Sequence, residues 1–472
     1  MDFVQVETTA LRTLEISEIA LPSTALSPTS RISKDAIRTS LKASTTDSVL
    51  AAVYSLGTGG ILLSNFLLEL GASPVVFGMV CSIPMLVNLI QPLGAYLSER
   101  STSRFQYSLR THGIGRLLWL VLVIGIVGVS LGVINTHELV ILTLLIVLFS
   151  NLLGGLGAAS WLSWVAMIVP RQLRGRYFGI RNSAASLTNL VCVPMAGLVV
   201  SHWDSGSIQG YGVVLLVSIV FGIVGLGCQY FQVDMNPRSQ NTLSQTNEIQ
   251  QEAREQEAGS KGDRTERDST PPVAPASSIW KNSNFLRFLL YFSFWALAVN
   301  LSSPFFNLYM LDTLDLDVSY VTIYNSLQAG ATLLMLIVWG KLADKIGNRP
   351  ILICIGILVA ATPLLWLGIG ADHLDIWLWL PLLHILAGGT WAAIDLCNNN
   401  IQLAIAPTKN QSIYFATAAA VAGASGALGT TIGSFIVQFA QFGGLLGLFA
   451  LSSLFRLTAL VPLLFVKEPE RA

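Results

Sequence analysis

A chain of 472 residues that is 53% hydrophobic and 11% charged carries more apolar surface than a water-soluble fold of that length could bury. Its mean hydropathy of +0.62 marks an integral membrane protein. Lys plus Arg and Asp plus Glu balance at 27 each, and the basic residues gather at the ends of apolar stretches, which argues against nucleic acid as a partner.

Residues 1–44 form a polar tail without an uninterrupted apolar core, so no cleavable signal peptide is expected. Within it Arg31, Lys34, Arg38 and Lys42 make a juxtamembrane basic cluster able to sit on anionic lipid headgroups. About twelve apolar stretches follow, each roughly the 20 residues needed to cross a ~30 Å hydrocarbon core as helix. They lie near 47–69, 75–97, 113–134, 138–168, 182–202, 210–232, 285–310, 318–340, 350–370, 375–405, 412–439 and 443–466. Alternate connections hold the basic residues: Arg100, Arg104 and Arg110; Arg171, Arg174 and Arg176; Lys341, Lys345 and Arg349; and Lys409. By the positive-inside bias these connections and both termini are cytoplasmic, in a plasma or inner membrane. The opposite connections, around Gly71, His137, Asp204, Asp312 to Asp317, Asp372 to Asp375 and Gln441, contain no Lys or Arg. Arg116 and Arg287 are expected in the first turns of spans three and seven, with side chains reaching the basic side. Arg456 falls inside span twelve, where it either pairs with a carboxylate or, the favoured expectation, snorkels to the interface.

Residues 233–282 turn abruptly polar and cannot bury a core, which predicts a disordered cytoplasmic linker. The chain thus divides into a 45–232 bundle of six spans, the linker, a 283–466 bundle of six spans and a short 467–472 tail. A repeated corner supports two equivalent halves: Tyr177-Phe178 follows Pro170 at the distance at which Tyr414-Phe415 follows Pro407. The five cysteines, Cys81, Cys192, Cys228, Cys354 and Cys397, lie in apolar spans without metal-ligand spacing and read as small core residues. No cofactor and no catalytic constellation is expected, because the histidines are dispersed.

Span ten carries the richest chemistry. His384, Gly388, Trp391, Asp395, Asn398 or Asn399, and Gln402 recur at intervals of three or four, so one helical face is polar for several turns. An aspartate near the membrane centre is disfavoured by roughly 2.5 to 3.5 kcal/mol, so this face should line a wet cavity. Asp395 is the candidate protonation switch or cation contact; packing between helices is the alternative for the whole stripe. Weaker stripes occur in span one, with Tyr54, Thr58 and Asn65, and in span seven, with Asn300, Ser303 and Asn307.

After span eight, Gly340-Lys341-Leu342-Ala343-Asp344-Lys345-Ile346-Gly347-Asn348-Arg349 resembles the signature loop of the major facilitator superfamily. That resemblance implies an all-α fold of about twelve transmembrane helices in two pseudo-symmetric six-helix bundles, with spans one, four, seven and ten around a central cavity. It also implies that Gly340, Asp344, Lys345, Gly347 and Arg349 belong to a conformational latch. Pseudo-symmetry then places Asp344 against the start of span five, near Phe178 to Arg181, with Arg181 as ionic partner. Lys341, Lys345 and Arg349 can equally be headgroup anchors. The first-half counterpart, Gly94 to Arg100, has serine where the aspartate belongs.

In span four, Asn151-Leu152-Leu153-Gly154-Gly155-Leu156-Gly157-Ala158-Ala159 is similar to a superfamily element in which arginine takes the place of Asn151. An amide cannot tune a neighbouring carboxylate as an arginine can, which counts against proton antiport by that route. Asn151 remains a cavity candidate. The expectation is a monomeric secondary transporter of a small organic solute, with protons as one candidate coupling ion and direction open. A non-transporting membrane sensor or assembly factor on the same fold is the alternative.

Overall fold

The computed structural model describes residues 34–101, 103–168, 174–234, 281–406, 411–439 and 443–468. Most of the linker, Arg31, Arg171, Lys409, Pro170 and Pro407 lie outside the described residues. Every regular element described is helical. The first half comprises α1 (Lys34–Thr58), α2 (Gly60–Glu69), α3 (Pro74–Val87), α4 (Gln91–Glu99), α5 (Arg104–Ser130), α6 (Thr136–Ile168), α7 (Arg174–Ser201) and α8 (Ser207–Cys228). The second half comprises α9 (Ser283–Asn300), α10 (Phe305–Leu308), α11 (Val318–Ile346), α12 (Asn348–Leu365), α13 (Leu380–Ile405), α14 (Gln411–Phe439) and α15 (Gly444–Ala459).

Eleven described helical stretches are long and apolar enough to cross a membrane. Span two is the twelfth, and it is broken into α3 and α4 because Pro92 has no N–H to bond the carbonyl four residues earlier. Outward-facing side chains such as Ile124, Leu187, Leu334 and Trp377 are 60% exposed or more, as lipid contact requires.

Spans one and seven, the first of each half, are also interrupted. In span one the break falls between α1 and α2, where Gly60 has φ +61°, a left-handed conformation that a side chain resists. Tyr211 of α8 donates to the Gly57 carbonyl beside this break, at 2.6 Å. In span seven the break falls between α9 and α10, where Pro304 cannot donate to the Asn300 carbonyl; Thr430 Oγ1 of α14 donates to it instead, at 3.2 Å. Such breaks persist inside a membrane only where neighbours or a cavity satisfy the freed backbone.

Within each half the corner tyrosine reaches the first span. Tyr177 OH donates to the Leu41 carbonyl of α1, and the Tyr414 ring packs on Phe285 of α9 at 4.4 Å. The halves meet along two seams, α3 against α14 and α7 against α11. Calling the end that carries Arg100, Arg110 and Lys345 basic, and the end that carries Asp204, Asp317 and Asp372 acidic, the seams are tight on the acidic half. There the Val75 N–H donates to Gln438 Oε1 at 3.2 Å, Ser82 Oγ to the Ala427 carbonyl at 3.3 Å, and Ser201 Oγ to Asp317 Oδ2. One apolar core runs across this junction, from Phe66 and Phe77 to Phe305, Leu308 and Val321. A second core, around Phe285, Phe288, Ile401 and Tyr414, stays within the second half near the basic end.

Candidate functional site

Both interrupted spans border one cavity of about 760 Å³ between the halves. Its wall joins Thr58, Gly59 and Gly60 of span one to Asn300, Ser303, Pro304 and Asn307 of span seven, with Asn151 of α6 and Asn189 of α7 between them. The physical reason is common to both breaks: unwound backbone and short polar side chains need water or solute, which a cavity supplies. Asn151 and Asn300 each donate to the carbonyl four residues earlier, at 2.8 Å, and each amide oxygen is an acceptor.

A smaller chamber opens on each side. In the first half, about 330 Å³ is bounded by Tyr54, Thr58, His112, Arg116 and Asn151. In the second half, about 150 Å³ is bounded by Asn325 and Gln328 of α11, His384 and Trp391 of α13, Thr362 of α12 and Arg456 of α15. Ser303 and Asn307 line this chamber and the central cavity both. Asn65 and Glu69 instead border a vestibule at the acidic end, with Asp312, Asp315 and Asp317.

The span-ten stripe therefore divides. Trp391 and His384 line the second-half chamber; the His384 ring packs on Tyr324 at 5.4 Å, and its Nδ1 lies 2.7 Å from the Leu380 carbonyl. Asp395 and Asn399 are exposed further towards the basic end. Asn398 and Gln402 are buried and border none of the cavities described above. A single residue step turns a helical side chain by about 100°, which is why neighbouring asparagines at 398 and 399 have opposite fates.

Arg116 lies well inside α5, which begins nine residues earlier than the hydropathy pattern indicates, so it does not reach the basic side. It is buried, donates to the Gly222 carbonyl and lies over the Tyr54 ring at 5.0 Å. Asp47 shares its surroundings: a Cβ on Gly225 would stand 3.2 Å from Asp47 Oδ1 and 3.4 Å from Arg116 Nη1. Asp47 at the start of span one is not singled out by the sequence, because a lone acid near a helix end normally signals an interface. Arg456 neither snorkels nor finds a carboxylate among the described residues. It is 2% exposed, with Nη1 donating to the Val359 carbonyl at 3.0 Å and Nη2 to Ser302 Oγ at 3.0 Å.

The signature segment is helical through Ile346, so Asp344 sits on the last turn of α11, and Gly347, with φ +87°, makes the turn into α12. Gly340 has open space around it. Span five starts at Arg174, and Arg181 lies seven residues further on, over the Trp161 ring at 4.4 Å. Arg349 donates to the Leu464 carbonyl at 2.6 Å, while Lys345 is exposed. The close-packed glycines lie elsewhere. Gly78 meets Ser434 and Gly197 meets Thr322 across the seams, Gly94 meets Leu156, and Gly388 meets the Gln328 carbonyl.

Two helical halves around a polar cavity at interrupted spans define the class of membrane transporters built from structural repeats. The chain belongs to the Major Facilitator Superfamily, whose sequence model matches residues 48–327 and 293–472. Similar solved structures include a D-xylose-proton symporter, 15% identical with a TM-score of 0.67, the match covering 92% of this chain and 98% of that one. The nucleoside transporter NupG is 12% identical with a TM-score of 0.62, over 90% of this chain and 98% of its own. A POT family transporter in complex with 5-aminolevulinic acid is 14% identical with a TM-score of 0.63, over 89% and 95%. At these identities the likeness is one of fold. A search among curated protein sequences finds no match.

Proposed function

We propose that the chain is a secondary active transporter that carries a small polar organic solute through the central cavity by alternating access. The observation that supports this reading most directly is the pair of breaks in corresponding spans, Gly59-Gly60 and Leu301 to Pro304, facing each other across one cavity. Asn151, Asn189, Asn300, Ser303 and Asn307 are the solute-binding candidates, because amides and hydroxyls both donate and accept. Taking the basic end as cytoplasmic by the positive-inside bias, the state described is sealed outside and faces inward. Transport of sugar with protons, of nucleosides and of peptide-like compounds by the structural neighbours is compatible with such a cavity.

Asp395, exposed one turn beyond Trp391 towards the basic end, is the candidate proton carrier. Asp344 keeps its proposed place in a latch that closes when the basic ends of the halves approach.

Proteoliposome counterflow with a panel of sugars, nucleosides, amino acids and organic acids, with and without an imposed pH gradient, tests the proposal. One or more solutes should exchange, and Asn151→Ala or Asn307→Ala should reduce exchange by about tenfold through lost hydrogen bonds. Asp395→Asn should abolish stimulation by the pH gradient while leaving counterflow intact. No exchange of any solute by a folded, correctly inserted protein would overturn the transport reading and favour a sensor.

A further inference from the structure

We infer that the second-half chamber is the seat of a compact oxyanion, a carboxylate or phosphate group, carried by the solute whose remainder occupies the central cavity. The inference rests on the transport reading above for its solute and on Arg456 for its charge. A guanidinium keeps its proton in proteins, so Arg456 is a permanent cation in the middle of span twelve. It is 2% exposed and forms no ion pair with any described carboxylate, and no Asp or Glu lines the chamber it borders. Two backbone carbonyls and the Ser302 hydroxyl accept from its Nη atoms, while Nε is buried without a partner. Carbonyl dipoles solvate such a charge but do not cancel it, and an uncompensated buried charge is strongly disfavoured. Arg116, another arginine buried within a span, has Asp47 beside it, whereas Arg456 borders a chamber lined by no carboxylate.

The rest of the chamber suits an oxyanion. Gln328 supplies a side-chain amide able to donate, Trp366 and Trp391 wall the space, and a volume of about 150 Å³ suits a small group. Ser303 and Asn307 stand at the junction with the central cavity, so a solute could extend from one space into the other. The class of substrate that follows is an organic acid or organic phosphate with a neutral polar body.

The test uses the purified full-length protein in sodium HEPES at constant ionic strength. Tryptophan fluorescence, to which Trp366 and Trp391 contribute among eleven tryptophans, is followed during titration with sodium acetate, sodium phosphate, sodium chloride and neutral acetamide. Acetate or phosphate should bind saturably and acetamide should not. Arg456→Gln should weaken binding by at least about tenfold, and Arg456→Lys by less. Gln328→Ala, which leaves every hydrogen bond of Arg456 in place, should weaken it severalfold and serves if the arginine variants do not fold. No saturable response to acetate or phosphate overturns the inference, as does equal binding by Arg456→Gln or Gln328→Ala. Binding of chloride alone also overturns it, since the chamber would then be an ion site and not part of a solute site. Oxyanion binding without counterflow of any solute would remove transport and keep the anion site. Counterflow of neutral solutes without oxyanion binding would do the reverse.

Discussion

Asp317 shows how much one side chain can hold in place. It caps α11 by accepting from the Ser319 N–H at 2.8 Å, and it also accepts from Ser201 of α7 in the opposite half. Burial pushes its carboxyl upward, but the hydrogen bonds from Ser201 and Ser319 and the nearby His202 outweigh that and hold it below its ordinary value of 3.8. A depressed value means that the stabilisation is present above the ordinary value and lost as pH falls through the depressed one. The acidic-end seal should therefore be insensitive to pH through the neutral range and loosen only below about pH 4. Asp317→Asn should widen the acidic end at neutral pH, as read by spin-label distances between α7 and α11; unchanged distances would remove Asp317 from the seal. Arg116 makes the complementary case. Arg116→Met should destabilise the protein by about 1 to 3 kcal/mol, because the buried Asp47 would lose one of its two nearby cations and the Gly222 carbonyl its donor. Adding Asp47→Asn should restore part of that loss in thermal unfolding, which a purely packing role for Arg116 would not allow.

Among the elements, the broken first spans matter most. Gly60 adopts φ +61°, and a Cβ added there would have nothing within 4 Å, so Gly60→Ala meets backbone strain and no collision. It should cost about 1 to 2 kcal/mol and lower counterflow more than it lowers thermal stability, since the break shapes the cavity wall. Wild-type transport by Gly60→Ala would detach the break from function. How far such elements are legible in sequence varies with the physics. The start of α9 is clear, because Asn282 accepts from the Phe285 N–H at 3.1 Å in the manner of an ordinary N-cap. The breaks are not, although Gly59-Gly60 and Pro304 are their visible signal. A glycine pair or a proline in an apolar run is compatible with a straight, kinked or unwound helix, and Tyr211 and Thr430, from distant spans, determine which. The basic stretch 104–112 reads as a loop because its charges interrupt the hydropathy, yet it is helical and carries Arg116 inward.

For the whole molecule, the seams between halves are its moving parts. Gly78 against Ser434 and Gly197 against Thr322 leave no room for a side chain while the acidic end is closed. Gly78→Leu should wedge that seam and shift the population towards an open acidic end, detectable as longer distances between α3 and α14. Gly340→Leu enters open space and should leave those distances unchanged. If Gly78→Leu left the distances as they are, the seam would not be the closing surface.

The apolar spans and the end at which the basic residues gather were determined by the sequence alone, because hydropathy and Lys/Arg placement act locally along the chain. Which polar residues meet solute was decided by tertiary structure. Asn398 and Asn399 differ only in which neighbour covers them, and Arg456 could have snorkelled had the Val359 and Val299 carbonyls and Ser302 not held it inside. A buried charge is placed by whatever surrounds it, and here the surroundings come from two other spans, seven and nine.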